Sequence, residues 1–214
     1  MTPGRWPKLL VISVILFCIG ACAHSHVGEV SDTGKAEGLK DIRAERVLIV
    51  YQSKYGSTRQ YAEWLHRDIP SDLVDTEKGD KPEFSRYDAI VFGSYIRMGR
   101  IVIAPFIVEN WGNVKGKKVI LFTTSGTPPG HPNIRTIYDS GLPENIRREI
   151  KYFPLRGRIL RKDLSFFDTL LVAVGRMMER DETLKKLMAD DFDEVKLESL
   201  VPVLEYIKTV MLQK

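Results

Sequence analysis

The chain has 214 residues, 43% hydrophobic and 28% charged, with a formal net charge of +4. That balance fits one globular domain with an appendage. Its only cysteines are Cys18 and Cys22 near the N-terminus, which excludes a disulfide, a thiolate metal site or a cysteine nucleophile from the remainder.

The appendage comes first. Arg5 and Lys8 precede the apolar run Leu9 to Phe17, and Ile19-Gly20-Ala21-Cys22 follows. A positive flank, a short apolar stretch and small residues before a cleavage point describe a secretory leader. The Ile-Gly-Ala-Cys tail resembles a bacterial lipobox, in which the cysteine is lipidated and becomes the mature N-terminus. Residues 1–22 are expected to be a lipoprotein-type signal peptide with Cys22 as the lipidation site. An uncleaved signal anchor is the alternative, although the run is short for a bilayer span. In both cases the positive flank predicts a bacterial membrane-anchored protein whose domain faces the extracytoplasmic side. Residues 23–44 are polar and read as a flexible tether. His24 and His26 in that stretch read as solvated rather than as metal ligands.

Residues 45–214 alternate strands and helices. Arg46 to Tyr51 is expected to be a buried strand. Ser57 to Ile69 is expected to be a helix, with Tyr61, Ala62, Leu65 and Ile69 on one face. Ser57 with Gln60 three residues on fits a capping box at its start. Asp72 to Asp75 and Ala89 to Gly93 read as the second and third strands, followed by a helix over Ile103 to Trp111. Lys118 to Thr124 reads as the fourth strand, after the turn signal Lys115-Gly116-Lys117. A short helix over Glu144 to Ile150 and a fifth strand over Tyr152 to Arg158 come next. Two helices close the chain, Phe166 to Met178 and Phe192 to Leu212, the latter kinked or divided by Pro202. The pattern predicts an α/β fold with a five-stranded, doubly wound parallel sheet and helices on both faces.

Ligands in such sheets bind at the carboxyl ends of the strands. The first strand ends in Ser53-Lys54-Tyr55-Gly56-Ser57-Thr58, the third in Ser94-Tyr95-Ile96-Arg97-Met98-Gly99, and the fourth in Thr124-Ser125-Gly126-Thr127 running on to Gly130. All three are rich in glycine and hydroxyl residues, and the first two carry a tyrosine. The first aims backbone N–H groups and a helix N-terminus at one point, where a phosphate can sit. It is neither a Walker loop nor a G-x-G-x-x-G turn. A phosphate cradle beside aromatic-bearing loops suits FMN, whose ring wants flat apolar walls and a few hydrogen bonds.

The Ser-Lys-Tyr-Gly-Ser-Thr loop, the segment Tyr87 to Arg100 and the third loop resemble a flavodoxin-type domain. More narrowly they resemble the flavodoxin domain of menaquinone-dependent protoporphyrinogen oxidases, with a similarity running from Val47 to the C-terminus. The Gly-Ser-x-Ile-x-Met-Gly-Arg stretch is the most specific part. The resemblance implies the flavodoxin-like strand order 2-1-3-4-5. It also implies that Ser53 to Thr58 hold an FMN phosphate, with Ser94 to Gly99 and Ser125 to Gly130 flanking the ring. The lipobox departs from that oxidase group, whose members usually lack one and work from the cytoplasmic side.

Charge separates the remaining functions. Electron-shuttling flavodoxins are typically acidic, whereas this chain keeps +2 after loss of Arg5 and Lys8. Arg97 and Arg100 beside the ring would favour a reduced anion and raise its potential, unless they point into solvent. Between Arg147 and Lys162 stand seven cations against the single acid Glu149, a run that suits lipid headgroups, an anionic porphyrin or plain solvent. The helix from Phe166 is apolar around most of its circumference and is expected to be buried against the sheet. Contact with a membrane or with a quinone is the alternative.

Other chemistries fall away. There is no cysteine for a phosphatase, no aspartate at the end of the third strand for a phosphoacceptor, no G-x-S-x-G elbow, and no nucleic-acid motif. His131, after the third loop, reads as a candidate proton donor. The sequence predicts a membrane-tethered FMN oxidoreductase that passes electrons to a quinone or redox protein acceptor. Its alternatives are a protoporphyrinogen dehydrogenase and a non-catalytic electron carrier.

Overall fold

The structure, a computed structural model, describes residues 46–79 and 81–212. The expected leader, Cys22, the tether and the pair His24 and His26 lie outside them.

Strands and helices appear in the order β1 (Val47–Tyr51), α1 (Ser57–Asp68), β2 (Ser71–Asp75), β3 (Ala89–Arg97), β4 (Arg100–Ile101), α2 (Ala104–Val114), β5 (Lys118–Ser125) and α3 (Pro132–Gly141). There follow α4 (Glu144–Arg147), β6 (Ile150–Arg156), β7 (Arg158–Ile159), α5 (Phe166–Met178), α6 (Glu182–Leu187), β8 (Phe192–Asp193) and α7 (Val201–Leu212). The central sheet runs β2-β1-β3-β5-β6 with every neighbour parallel, which is the expected order carried by the five long strands. The short β4 folds back antiparallel on β3, and β7 pairs with β8 in a separate two-stranded ribbon.

Continuous apolar strands are dictated by burial on both faces. Val47, Ile49 and Tyr51 of β1 point to the α1 and α7 side, where they meet Tyr61, Leu65, Leu200, Val203 and Ile207. Leu48 and Val50 point the other way, to Ile103, Ile107, Val114 and Tyr138 of the α2 and α3 side. Gly93 inside β3 admits the buried ring of Phe122, because a Cβ there would stand 2.5 Å from Phe122 Cζ.

Several spans differ from the sequence reading. β3 extends through Arg97, so the expected second loop is a β-hairpin. Its two turn residues, Met98 (φ 51°) and Gly99 (φ 69°), take the left-handed conformation that tight hairpins require. α3 was not read from the sequence. The last helix does not span Phe192 to Leu212: Phe192 sits in β8, and α7 starts at Val201 with Pro202 in its first turn, where proline's missing N–H costs nothing. Among the described residues no helix is long and apolar enough to cross a membrane.

Candidate functional site

The carboxyl ends of β1, β3 and β5 bring the three predicted segments to one edge of the sheet. Gly56 takes the left-handed conformation (φ 85°) and its carbonyl accepts the first α1 hydrogen bond, from Gln60 N at 2.9 Å. Among the described residues no hydrogen bond ties the backbone N–H groups of Lys54, Tyr55, Gly56, Ser57 or Thr58. Five successive free N–H groups running into a helix N-terminus make a site for an anion.

The capping box does not form. Gly56 is the N-cap and no side chain caps the helix. The Ser57 hydroxyl instead accepts from Arg158 N at 3.1 Å, bringing the start of β7 over the first loop. Ser53 Oγ accepts from Arg59 N at 3.1 Å, and the Thr58 and Thr124 hydroxyls bond each other at 2.9 Å. Ser53, Ser57, Thr58 and Thr124 are all buried, so these hydroxyls fix the shape of the cradle while its N–H groups stay free.

In the second segment, Ser94 is buried and its hydroxyl accepts from Ile103 N at 3.1 Å, locking the hairpin to the start of α2. Tyr95, Ile96 and Arg97 are half-buried, and Met98 at the turn is 69% exposed. In the third, Ser125 Oγ donates to Thr127 O at 2.9 Å and Gly126 O accepts from the Arg156 guanidinium, which also lies 5.5 Å from the Phe192 ring. Phe192 covers Gly126 closely: a Cβ there would lie 2.7 Å from its Cζ. Gly130 is exposed. His131 caps α3 through Nδ1 and meets Asp181 through Nε2 at 3.1 Å, so both ring nitrogens are engaged in structure.

The sequence reading missed Asp168, which ties this edge together. Its carboxylate, 7% exposed, accepts from Lys54 Nζ at 2.5 Å and from the Tyr55 hydroxyl on Oδ2, and from Arg97 Nη2 at 2.5 Å on Oδ1. Ser165, the N-cap of α5, completes the set: its Oγ accepts from Asp168 N and donates to Oδ2. Burial pushes the carboxyl up, but the hydrogen bonds from Lys54, Tyr55, Arg97 and Ser165 outweigh it and hold Asp168 well below the usual carboxylate range. Two cations against one carboxylate leave the edge with a positive charge in excess. A signal existed in the sequence: Ser165-x-x-Asp168 is a cap pattern, and Asp168 is the one acid between Phe166 and Gly175.

The expected burial of α5 is overturned. Phe166, Phe167, Leu170, Val174, Met177 and Met178 are all exposed, and the only fully buried residue of the helix is Asp168. The basic run is also spent differently than a single patch would require. Arg147 pairs with Asp139, Arg148 with Glu144 and Arg158 with Asp193, while Lys151 lies over Phe153 and Tyr206. Arg135, Tyr138, Arg147, Arg148 and Tyr152 line a cavity of about 470 Å³ away from the three loops. The Tyr138 and Tyr152 rings stack there at 4.1 Å, and burial pushes the Tyr152 hydroxyl up to about 12.

The residues fit the group that the loops suggest: free N–H groups and excess positive charge for a monophosphate, and half-buried Tyr95 beside it for a ring, whereas Ile96 on the opposite face of β3 packs against the core. Comparison with known proteins gives a match to the flavodoxin domain family over residues 48–186. No curated relative matches the chain. Among solved structures the chain is similar to a flavoprotein in complex with FMN from Lactobacillus acidophilus, at 18% identity and TM-score 0.40, covering 53% of this chain and 93% of that one. An NAD(P)H:quinone oxidoreductase from Methanothermobacter marburgensis is 11% identical at TM-score 0.37, covering 56% of this chain and 87% of that one. A flavodoxin from the domain Archaea is 14% identical at TM-score 0.34, covering 76% and 99%.

Proposed function

The chain belongs to the flavodoxin domain family, and on that premise we propose that it is a membrane-tethered FMN oxidoreductase that passes electrons to a quinone or a redox protein. The observation that carries the reading is the run of five free backbone N–H groups over residues 54–58 at the start of α1. Neutral donors and a helix N-terminus hold a phosphate without a Walker lysine.

When bound, FMN supplies two-electron chemistry, taking a hydride from a donor and releasing electrons to an acceptor. The chain's own residues do the rest. The first loop binds the phosphate, and the buried hydroxyls of Ser53, Ser57 and Thr58 keep that loop in shape. Tyr95 and Met98 would offer walls to the ring. Arg97 and Lys54 keep the edge net positive despite Asp168, which would favour added negative charge on a group bound there. That suits a quinone better than a low-potential partner. A lipidated Cys22, or the apolar run Leu9 to Phe17 if it is retained as an anchor, would hold the domain near a membrane, on the extracytoplasmic side.

The test is reoxidation of the reduced, FMN-loaded chain by a soluble naphthoquinone without oxygen. A rate that saturates with quinone supports the reading, and a rate no different from that of free FMN contradicts it. Adding a porphyrinogen as donor asks whether the narrower oxidase resemblance extends to substrate.

A further inference from the structure

α5 is amphipathic in the reverse sense for a helix on a globular domain. Its acid, Asp168, faces the protein and its large apolar residues face out. Asp168 points inward to Lys54, Tyr55 and Arg97, with Leu171, Val172 and Gly175 half-buried on the same side. On a helical wheel Phe166, Phe167, Leu170, Val174, Met177 and Met178 fill the opposite arc, and Phe166 and Met177 are 79% and 85% exposed. Isolated exposed apolar residues are ordinary. Six contiguous ones on a helix ~20 Å long mark a binding face.

The ends of the helix say what covers it. Lys162 before α5, Arg176 in its last turn and Arg180 just after it are exposed and enter no ion pair among the described residues. Asp163 and Glu179 stand near the same ends and keep their charge, so the three cations outnumber the two acids and leave the ends net positive. An apolar face of Phe, Leu, Val and Met flanked by free cations matches a bilayer interface with anionic headgroups. The lipidation expected at Cys22 would bring the same chain to a membrane.

The geometry points to α5 as a membrane-docking helix that lies in the interface of an anionic bilayer. Asp168 fastens it to the loops at the ends of β1 and β3, so docking holds that edge of the sheet at the membrane surface. This inference concerns lipid contact and stands whether or not FMN binds.

Hydroxyl-radical footprinting of the full chain on vesicles tests it, with oxidation read at Met177 and Met178 by mass spectrometry and with flotation recording attachment. On vesicles of phosphatidylcholine with phosphatidylglycerol, oxidation of both methionines falls by about five-fold or more relative to the vesicle-free chain. Leu170→Glu with Val174→Glu, at positions already exposed, abolishes the protection without changing thermal unfolding. Arg176→Glu with Arg180→Glu removes the preference for anionic over neutral vesicles. The inference is overturned if the chain fails to float with anionic vesicles, or if Met177 and Met178 stay as reactive on floated vesicles as off them. It is equally overturned if protection appears without lipid and rises with protein concentration, because a second copy would then cover the face.

Discussion

Arg97 Nη2 lies 2.5 Å from Asp168 Oδ1, joining the β3 hairpin to α5 across 71 residues of chain. The other carboxylate oxygen takes Lys54 and Tyr55 from the first loop. One buried acid therefore fixes the relation among the first loop, the β3 hairpin and an exposed helix, and much of the molecule's behaviour should turn on it.

Asp168→Ala removes that junction. Lys54 and Arg97 are 36% and 38% exposed, so water recovers much of what they lose. The cost is expected at about 1–3 kcal/mol in urea denaturation, from lost hydrogen bonds and a loosened α5. Hydrogen exchange should rise across residues 161–180 and stay unchanged in β1 and β3.

The pH dependence of this contribution has a definite sign. Asp168 is held below its unfolded value of about 3.9, so its stabilisation is fully present above that value and is lost as pH falls through the folded one. The stability difference between the wild type and Asp168→Asn should be constant above about pH 5 and shrink steadily below pH 4. A difference that persists unchanged to pH 2 would show that the carboxylate's charge is not what stabilises α5.

Asp168 also places a negative charge beside the proposed phosphate cradle. Asp168→Asn should tighten FMN binding several-fold and leave riboflavin, which has no phosphate, nearly unaffected. Equal changes for the two flavins in calorimetric titration would mean that Asp168 acts on the ring or on the fold rather than on phosphate charge.

Two glycines should respond differently to alanine. Gly93→Ala drives a Cβ into the fully buried Phe122 ring and should cost about 1–3 kcal/mol. Gly56→Ala meets open space, and its cost of about 1–2 kcal/mol comes from the left-handed backbone alone. Gly56→Ala should also weaken FMN binding, since relaxing that turn re-aims the free N–H groups. Gly93→Ala should change stability without changing flavin affinity at temperatures where it is folded.

The sheet was legible because β1, β3 and β5 are buried on both faces and read as unbroken apolar runs. The loops at their ends followed from topology. What failed was whatever depended on a distant partner. Ser57 reads as a local cap, but Arg158 N takes its hydroxyl and Gly56 supplies the turn instead. The apolar pattern of α5 states that the helix has an apolar face, not which way that face points; the lone acid Asp168 decides that through residues more than 70 positions away. α3 carried its own signals, Pro132 in the first turn with Ile134, Ile137 and Tyr138 on one face, and was hidden behind the loop that precedes it.

The central claim is that the five free N–H groups of residues 54–58 hold the phosphate of a bound flavin. Titration of the purified chain with FMN, followed by the flavin absorbance bands and repeated with riboflavin, tests it most directly. The account predicts saturable one-to-one binding of FMN, much tighter than riboflavin and weakened by Gly56→Ala. A chain that leaves the FMN spectrum unchanged, or that binds both flavins equally, would contradict it.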